Sequence, residues 1–285
     1  MRANHLNLKE NMRSTDRLYP NGFLFNREKL NVPLISIIIP IYNEEKTIRD
    51  VIERIPNHQQ YEILLVDDGS TDNSLEKVQE ISNREIKIIK HQNNKGYGVA
   101  VLSGFKHAAG DIIITMDSDG QHNPEEITAL IKPIIHNQAD IVVGSRYLGR
   151  CHYKNPLYAR VGAYFINIFL NMLFLQKVYD NQCGFRAFSN RSFKIFKNLR
   201  QTKYGFCTET LFEAIYNKLR VCEIPINVNI RKYGKSNIDL VKLLISVSFC
   251  ILYYSIKRFK VYRFIPNQIL AKIKNRVIFL FKKFM

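Results

Sequence analysis

The feature that most constrains the fold is an alternation of short apolar runs and helix-length segments between residues 34 and 144. Runs with the length and composition of buried strands are Leu34–Pro40, Tyr61–Val66, Ile86–Lys90, Ile112–Met116 and Asp140–Gly144. The intervening segments have helical patterns and are Glu44–Ile55, Thr71–Ser82, Tyr97–Ala109 and Asn123–Asn137. Strands that alternate with helices of this length indicate βαβ units. The sequence therefore predicts an α/β fold, a Rossmann-like and mostly parallel sheet with flanking helices.

Three of the strand-like runs end in clusters of acidic and polar residues. These are Pro40-Ile41-Tyr42-Asn43-Glu44, Val66-Asp67-Asp68-Gly69-Ser70-Thr71-Asp72 and Asp117-Ser118-Asp119. The carboxyl ends of parallel strands share one edge of a sheet, where open α/β proteins bind their ligands. Asp117 and Asp119 project from the same side of an extended segment. Such a pair can hold a hard divalent cation, and that cation can hold a diphosphate.

The charge and the cysteines limit the classes of function. A net charge of +17 implies an anionic partner, which is a nucleic acid, an anionic membrane or a phosphorylated substrate. Nucleic acid is not expected, because there is no zinc-ligand spacing, no RNA-recognition signature and no basic heptad region. The five cysteines are scattered singly, which fits neither a disulfide framework nor a zinc site and favours a reducing compartment.

The alternation changes after residue 150. A long apolar and aromatic helix, a short strand, another helix and an extended segment are predicted in turn over Pro156–Leu175, Gly184–Ser189, Thr208–Lys218 and Arg220–Ile230. We expect a flexible polar arm at residues 1–32, without a secretory signal. A catalytic domain is predicted at residues 33–236 and a basic amphipathic helical tail at residues 237–285.

The tail contains an apolar stretch, Leu243–Ile256, that is too short to span a bilayer comfortably. It could pack on the domain or lie in a membrane interface. The residues from 257 onward carry nine Lys and Arg and no acidic residue, interleaved with Phe, Ile and Leu. Each basic residue near an anionic surface contributes about 1 kcal/mol of binding free energy. This composition favours the interfacial alternative, with an anionic membrane surface as a partner.

Seven motifs in a fixed order resemble the signature of family 2 glycosyltransferases, which have the GT-A fold. They are Pro40-x-Tyr42-Asn43-Glu44, residues 66–72, Asn94-x-Gly96-x-Gly98-x-Ala100, Asp117-Ser118-Asp119-Gly120-Gln121, Gly144-Ser145-Arg146-Tyr147, Asp180-x-x-Cys183-Gly184-Phe185-Arg186 and Arg231-x-x-Gly234-Lys235-Ser236. The resemblance covers about residues 34–236 and is to the subgroup typified by dolichyl-phosphate mannosyltransferase and its bacterial polyprenyl-phosphate relatives. Each motif alone is weak evidence, but their order and spacing are specific.

The resemblance implies roles for individual residues. Those expected to bind the nucleotide-sugar donor are Pro40, Tyr42, Glu44, Asp67, Asp68, Asp117, Ser118 and Lys235. Asp119 and Gln121 match the metal ligands of the family, with Asp117 beside them, which implies Mg²⁺ or Mn²⁺ as cofactor. The metal would assist departure of the diphosphate. The pattern gives His122 no metal role, and we expect Asp72 to cap a helix.

The acceptor decides the subclass of transferase. A sugar hydroxyl needs a general base, whereas a phosphate monoester is largely dianionic at neutral pH and needs none. The later helix lacks the acidic pair that hydroxyl-glycosylating members carry, and Glu209 is the one candidate base there. An anionic acceptor needs cations instead. Arg146 and Arg231 are the best candidates, and Arg160 and Arg186 are weaker ones.

Other classes fit less well. A haloacid-dehalogenase site would place the acidic loop after the first strand, and a nicotinamide site would need a glycine-rich turn there. Processive polysaccharide synthases require a Trp motif, and the chain has no Trp. We therefore expect an inverting transferase that moves a sugar from GDP-mannose or a UDP-hexose to polyprenyl phosphate, peripherally at the cytoplasmic membrane face. The alternatives are transfer to a glycan or lipid-linked sugar hydroxyl and a non-catalytic membrane-binding protein.

Overall fold

The computed structural model describes residues 33–58, 60–150, 178–200, 205–233 and 240–258, with a few single positions elsewhere. The chain divides into two compact units, residues 1–33 and 34–285. Within the first unit, Arg17–Leu18 and Leu24–Phe25 form an antiparallel pair of two-residue strands. The remainder of that unit up to residue 32 lies outside the described residues, so the flexible arm stays a prediction. The boundary near residue 236 also stays a prediction.

The second unit is built on a seven-stranded sheet. In chain order the strands are β1 Ile35–Ile41, β2 Tyr61–Asp67, β3 Ile86–Lys90, β4 Ile112–Thr115, β5 Ile141–Ser145, β6 Arg186–Ser189 and β7 Val221–Pro225. Their spatial order is β3-β2-β1-β4-β6-β5-β7. All pairs are parallel except the two that β6 makes with β4 and β5, which are antiparallel. The predicted α/β class and mostly parallel sheet are confirmed.

Six α-helices are described in the second unit. They are α1 Ile48–Glu53, α2 Ser74–Gln79, α3 Tyr97–His107, α4 Ile127–Ile135, α5 Phe206–Tyr216 and α6 Leu240–Arg258. A 3₁₀ turn, Pro124–Glu126, precedes α4, and Asn123 accepts a hydrogen bond from the N–H of Glu125 as the predicted N-cap. A nine-residue 3₁₀ helix, Asn190–Asn198, follows β6. The helix predicted at residues 156–175 lies almost entirely outside the described residues.

Alternation along β1 separates two hydrophobic cores, since successive strand residues point to opposite faces. Ile37 and Ile39 face the core formed with α1, α2 and α4, whereas Ile38 faces the core formed with α3, the 3₁₀ helix and α5. All three side chains are fully buried. Burial on both faces explains why the parallel strands read as continuous apolar runs rather than alternating ones.

Helix α6 packs on α5 through one of its faces. Val247, Cys250 and Tyr254 form a small cluster with Phe212 of α5, and the rings of Tyr254 and Phe212 stack at 5.1 Å. On another side of α6, Leu252 remains half exposed. Of the helices that the structure describes, none is both long and apolar enough to cross a bilayer.

The described cysteines are free thiols, as their scattered positions predicted. Cys183, Cys207 and Cys250 are buried and Cys222 is partly buried. Cys151 lies outside the described residues. Burial raises the pKa of the Cys207 thiol, which keeps it protonated and suits its role as a small apolar side chain.

Candidate active site

A crevice of about 440 Å³ opens at the carboxyl edge of the sheet, where β1, β2 and β4 end side by side. Its walls come from the predicted strand-end clusters and from later loops. The polar lining residues are Tyr42, Glu44, Asp68, Asn94, Tyr97, Asp117, Ser118, Asp119, Gln121, His122, Arg146, Gln182, Lys203 and Arg231, and the apolar ones include Pro40 and Leu243. The structure thus brings together the three clusters that the sequence placed at one edge.

Asp117 follows β4 and lines the crevice. The hydroxyl of Tyr97 donates a hydrogen bond to it. Burial raises the pKa of Asp117, and the neighbouring Asp119 acts in the same direction, whereas His122 and Arg146 oppose the rise. An additional cation bound between Asp117 and Asp119 would therefore be strongly stabilised by their carboxylates.

Gly184 leaves the space that the Asp117 carboxylate occupies. A Cβ atom at position 184 would collide with Oδ1 of Asp117 and would lie 2.8 Å from the hydroxyl oxygen of Tyr97. Any side chain here would displace the carboxylate. The glycine is thus required by close approach to Asp117 and not by its own backbone angles.

His122 packs under the same loop. Its Nδ1 accepts the N–H of Asp117 at 3.3 Å, and its Nε2 faces the Cys183 sulfur at 3.7 Å. The ring stacks on Phe185 at 5.3 Å. His122 is therefore a buried supporting residue, consistent with the sequence interpretation that gave it no metal role.

Asp119 and Gln121 form a tight local turn. The N–H of Gln121 donates to Oδ1 of Asp119 at 3.0 Å. The backbone of Gln121 accepts the N–H of Asn229 at 2.9 Å, and this contact ties the loop to the segment that follows β7. Both residues line the crevice, where Oδ2 of Asp119 lies 3.5 Å from Arg231 and the Gln121 side-chain amide donates to the Asn229 carbonyl at 3.4 Å.

Arg231 bridges two carboxylates from different strand ends. Its guanidinium lies 2.5 Å from Oε1 of Glu44 and 3.5 Å from Oδ2 of Asp119. Burial raises the pKa of Glu44, and the charge of Arg231 and the Thr47 hydroxyl partly offset the rise. Oγ1 of Thr47 also lies 2.8 Å from the backbone carbonyl oxygen of Ser118, so the one hydroxyl proton is shared between the two acceptors. These contacts fix β1's loop against β4's loop.

Asp68 is held by a dense set of donors. Its Oδ1 accepts the N–H of Lys95 at 2.9 Å and lies 2.7 Å from Nδ1 of His91. Its Oδ2 accepts the N–H of Gly96 at 2.7 Å. His91 Nε2 lies 2.8 Å from the Ser103 hydroxyl. This Ser–His–Asp chain resembles a nucleophile relay. Neither Ser103 nor His91 lines the crevice, so the chain positions Asp68 and the turn before α3.

Arg146 lines the crevice in a fixed orientation. Its Nε and one terminal nitrogen each lie 2.7 Å from the two oxygens of Asp180, and its own N–H donates to the same carboxylate at 3.0 Å. Burial by itself would raise the pKa of Asp180, but the hydrogen bonds and charge of Arg146 more than offset it and leave the pKa below its usual value. The pair is thus ionised.

Several candidates from the sequence lie elsewhere. Asp67 is not part of the crevice lining, and its carboxylate accepts the N–H of Ser70 at 2.9 Å. Glu209 is buried in α5 and accepts the N–H of Arg200 at 2.7 Å, away from the crevice. Arg186 is buried and donates to three backbone carbonyls, so it is a structural residue and not an acceptor ligand. Lys235 and Arg160 lie outside the described residues.

Some lining residues, among them Tyr97, Gln182, Lys203 and Leu243, were not singled out from the sequence. Tyr97 falls within the glycine-containing motif before α3, so its position carried a signal, and Gln182 falls within the motif that begins at Asp180. Lys203 and Leu243 lie in segments without a motif. Leu243 reaches the crevice because α6 folds back on α5, a contact that no local pattern encodes.

Within the described part of the chain, no three His, Cys, Asp or Glu side chains are grouped so as to hold a metal by themselves. Asp117, Asp119 and the Gln121 amide nevertheless offer hard oxygen donors on one wall of the crevice. Mg²⁺ commonly binds through one or two carboxylates together with substrate phosphates and water. The donor set therefore fits a cation that is held jointly with a diphosphate.

Comparison with known proteins agrees with this geometry. Residues 36–196 match the profile described as glycosyl transferase family 2. The chain belongs to this family. The match covers more than half of the chain and includes β1, β2, β4 and the loops that carry Glu44, Asp68 and Asp119.

Among related proteins, the UDP-N-acetylglucosamine–dolichyl-phosphate N-acetylglucosaminyltransferase of Methanococcus voltae is 38% identical over 220 residues, 70% of this chain and 88% of the relative. The dolichol-phosphate mannosyltransferase of Pyrococcus furiosus is 36% identical over 72% of this chain and 59% of its own length. An undecaprenyl-phosphate 4-deoxy-4-formamido-L-arabinose transferase of Yersinia enterocolitica is 31% identical over 76% of this chain and 66% of its own length.

Solved structures support the fold. Glucosyl-3-phosphoglycerate synthase from Mycobacterium tuberculosis, in complex with Mn²⁺, UDP and glucosyl-3-phosphoglycerate, superimposes with a TM-score of 0.61 at 20% identity, over 78% of this chain and 80% of that chain. The same enzyme with Mg²⁺ and UDP gives a TM-score of 0.63. At this identity the likeness establishes the GT-A architecture alone.

Proposed function

We propose that this family 2 glycosyltransferase moves a sugar from a nucleotide-diphosphate donor to the phosphate of a polyprenyl phosphate. The observation that carries the proposal is the cation set of the crevice: Arg146, Lys203 and Arg231 line it, while the candidate base Glu209 lies outside it. Cations suit a phosphate acceptor, which needs no deprotonation at neutral pH. Relatives whose names specify dolichyl or undecaprenyl phosphate support the same acceptor class.

The donor half of the site is formed by the ends of β1, β2 and β4. Pro40, Tyr42, Glu44 and Asp68 would surround the nucleoside, and the carboxylates of Asp117 and Asp119 would face its diphosphate. Asp117, Asp119 and Gln121 would hold Mg²⁺ or Mn²⁺. When bound, this metal supplies Lewis-acid neutralisation of the departing diphosphate.

The acceptor half is formed by Arg146 and Arg231. The planar guanidinium of arginine presents N–H donors that match phosphate oxygens. Asp180 holds the Arg146 guanidinium at the crevice wall through Nε and one terminal nitrogen. An acceptor phosphate oxygen would form a bond to the anomeric carbon as the bond from that carbon to the diphosphate oxygen breaks. A single displacement of this kind inverts the anomeric configuration. Peripheral attachment to an anionic membrane would place the enzyme beside its lipid acceptor.

Transfer of radiolabelled sugar tests the proposal directly. The assay supplies GDP-mannose, UDP-glucose or UDP-N-acetylglucosamine together with undecaprenyl or dolichyl phosphate, with and without EDTA. We expect EDTA-sensitive label in the lipid phase, abolished in Asp119→Ala and retained in the control Asp50→Ala, whose side chain is exposed on α1. Metal-dependent hydrolysis of the donor without lipid label would refute the acceptor and leave the donor site standing.

A further inference from the structure

The long 3₁₀ helix after β6 carries a row of positive charges. A 3₁₀ helix has three residues per turn, so side chains three positions apart lie above one another. Phe193 and Phe196 form one such row and pack on Phe105 of α3, with ring centroids 5.1 Å and 4.2 Å apart. The outward row is exposed and consists of Arg191, Lys194, Lys197 and, just beyond the helix end, Arg200. We refer to these four residues as the cationic ridge.

The cationic ridge is poorly neutralised by the protein. Lys194, Lys197 and Arg200 have no carboxylate within ion-pair distance among the described residues. Arg191 lies 3.9 Å from Asp140, but Arg220 already binds that carboxylate at 3.0 Å. At about 2 Å of rise per residue, the ridge extends about 12 Å from residue 191 to residue 197. Like charges in a row repel one another unless an anionic partner faces them.

The ridge leads into a pocket of about 370 Å³ between the 3₁₀ helix, α5 and α6. We call it the α5–α6 pocket. Its lining residues are Lys197, Asn198, Leu199, Arg200, Glu213, Tyr216, Asn217, Tyr253 and Lys257. Three cations and one carboxylate leave this lining with a net charge of +2.

Glu213, the carboxylate of the pocket, is fully engaged by the protein. It accepts the Tyr254 hydroxyl at 2.7 Å and the Lys257 ammonium at 3.0 Å. The side-chain amides of Asn198 and Asn217 donate to its other oxygen at 2.9 Å and 3.0 Å. Its charge therefore holds the pocket wall together and does not neutralise Lys197 or Arg200.

Tyrosines line the rim of the pocket and stack with its cations. The guanidinium of Arg200 lies 4.5 Å from the ring centre of Tyr253, and the ammonium of Lys257 lies 3.8 Å from that of Tyr216. Tyr216 is 42% exposed. Tyrosine combined with Lys and Arg is typical of side chains at the boundary between water and lipid headgroups.

Helix α6 connects this pocket to the active-site crevice. Leu243 near the start of α6 lines the crevice, and Tyr253 and Lys257 near its end line the pocket. At 1.5 Å per residue, the fourteen steps from Leu243 to Lys257 span about 21 Å. Leu243 and Lys257 lie on the same side of α6, because fourteen positions are close to four turns of 3.6 residues.

We propose that the cationic ridge and the α5–α6 pocket bind the phosphate groups of anionic lipid headgroups. Contact of several headgroups with the ridge and one with the pocket orients α6 along the bilayer, so that the crevice opens at the lipid surface. Free phosphate has the same chemistry, but a row of cations about 12 Å long is matched by an extended anionic surface and not by one small ion. The site is separate from sugar transfer, although its position agrees with the acceptor proposed above.

The test measures binding of the full chain to vesicles without any sugar donor. Co-sedimentation uses pure phosphatidylcholine vesicles and vesicles of equal parts phosphatidylcholine and phosphatidylglycerol. The pocket variant is Lys197→Gln/Arg200→Gln. The matched control, Lys77→Gln/Lys132→Gln, removes the same charge from the partly exposed Lys77 and the exposed Lys132, on the helices covering the opposite face of the sheet. The basic tail is unchanged in both.

We expect the pocket variant to bind the anionic vesicles about 25-fold more weakly, about fivefold for each cation, and the control to bind as the wild type does. A second variant, Lys194→Gln/Lys197→Gln, preserves the Arg200–Tyr253 contact and is expected to behave like the first. Equal weakening of pocket and control variants would overturn the proposal, because diffuse charge would then suffice. Inorganic phosphate titrated by calorimetry is a separate arm: saturable binding lost in the pocket variant, with vesicle binding unchanged, would overturn the lipid assignment.

Discussion

The guanidinium of Arg146 meets the carboxylate of Asp180 at two points, with both nitrogen–oxygen distances 2.7 Å. Asp180 is almost completely buried and lies behind Arg146, which faces the crevice. The same carboxylate also accepts the N–H of Cys183 at 3.2 Å. A single buried acid thus fixes a cation of the proposed acceptor site and the loop that carries Gly184.

Replacing Asp180 tests whether this residue positions Arg146 for the acceptor. We expect Asp180→Asn to lower sugar transfer about 100-fold, because a misplaced binding group has costs of this order, and to raise the apparent KM for the lipid acceptor more than that for the donor. The matched control is Asp140→Asn, whose carboxylate binds Arg220 with two contacts outside the crevice. The control should lose stability and retain its acceptor KM. Equal effects on both substrates in Asp180→Asn would contradict an acceptor role for Arg146.

The same pair predicts how stability depends on pH. The pKa of Asp180 lies below its usual value in the folded protein, since Arg146 more than offsets burial. The ionised acid therefore stabilises the fold above the usual Asp pKa of about 3.9, and this contribution disappears as pH falls towards the folded pKa. Urea unfolding between pH 7 and about pH 3 should show a smaller loss of stability for Asp180→Asn than for the wild type over this acidic range. Parallel curves would show that the pair does not titrate as the geometry indicates.

Gly184→Ala tests the close approach of the backbone to Asp117. The added methyl group would displace the Asp117 carboxylate and its hydrogen bond with Tyr97. We expect Mn²⁺-dependent binding of UDP or GDP, measured by calorimetry, to weaken at least 10-fold, a change of about 1.4 kcal/mol.

The control for this substitution is Gly104→Ala. Its methyl group would press on the Ile38 side chain in the core and touch no crevice residue. Gly104→Ala should lower the unfolding temperature through overpacking and leave nucleotide affinity unchanged. If both variants lost affinity in proportion to their stability, the contact with Asp117 would have no specific role.

His91 offers a test of the chain of contacts behind Asp68. We expect His91→Leu to destabilise the fold by about 1–3 kcal/mol, because one contact of a buried carboxylate is lost. We also expect a higher KM for the donor with little change in kcat, since Asp68 and the turn at Gly96 line the crevice. His107→Leu is the control, because His107 is exposed and the one contact described for its ring is with the Ser103 carbonyl. A lowered kcat with an unchanged KM would contradict the positioning role.

The sequence predicted the parallel core of the sheet because that information is local. Buried parallel strands appear as apolar runs, and β3 has the predicted bounds Ile86–Lys90. The predicted cap is displaced by one residue: Asn73 is the N-cap of α2, and Asp72 precedes it, with Oδ1 accepting the N–H of Ser74 at 3.1 Å. The carboxyl ends of β1, β2 and β4 lie at one edge of the sheet because these strands run in the same direction.

The differences arise where long-range contacts decide. Helix α1 begins at Ile48 and not at Glu44, and the N–H groups of Glu44 and Glu45 are bound by the distant side chains of Ser74 and Asp72. Arg186 was read as a weaker acceptor ligand, but its guanidinium is enclosed by carbonyls from β6's own loop and from α5. No residue spacing indicates which carbonyls will surround a buried arginine.

The antiparallel strand β6 has a consequence for how the chain folds during synthesis. β1 to β4 pair among themselves, so the donor half of the crevice is encoded by about the first 120 residues. β5, however, touches β4 only through β6, which is made more than forty residues later than β5. While the ribosome adds those residues, β4 has one open edge and β5 has no partner. The proposed acceptor side therefore assembles after the proposed donor side, and the intervening nascent chain exposes an apolar strand.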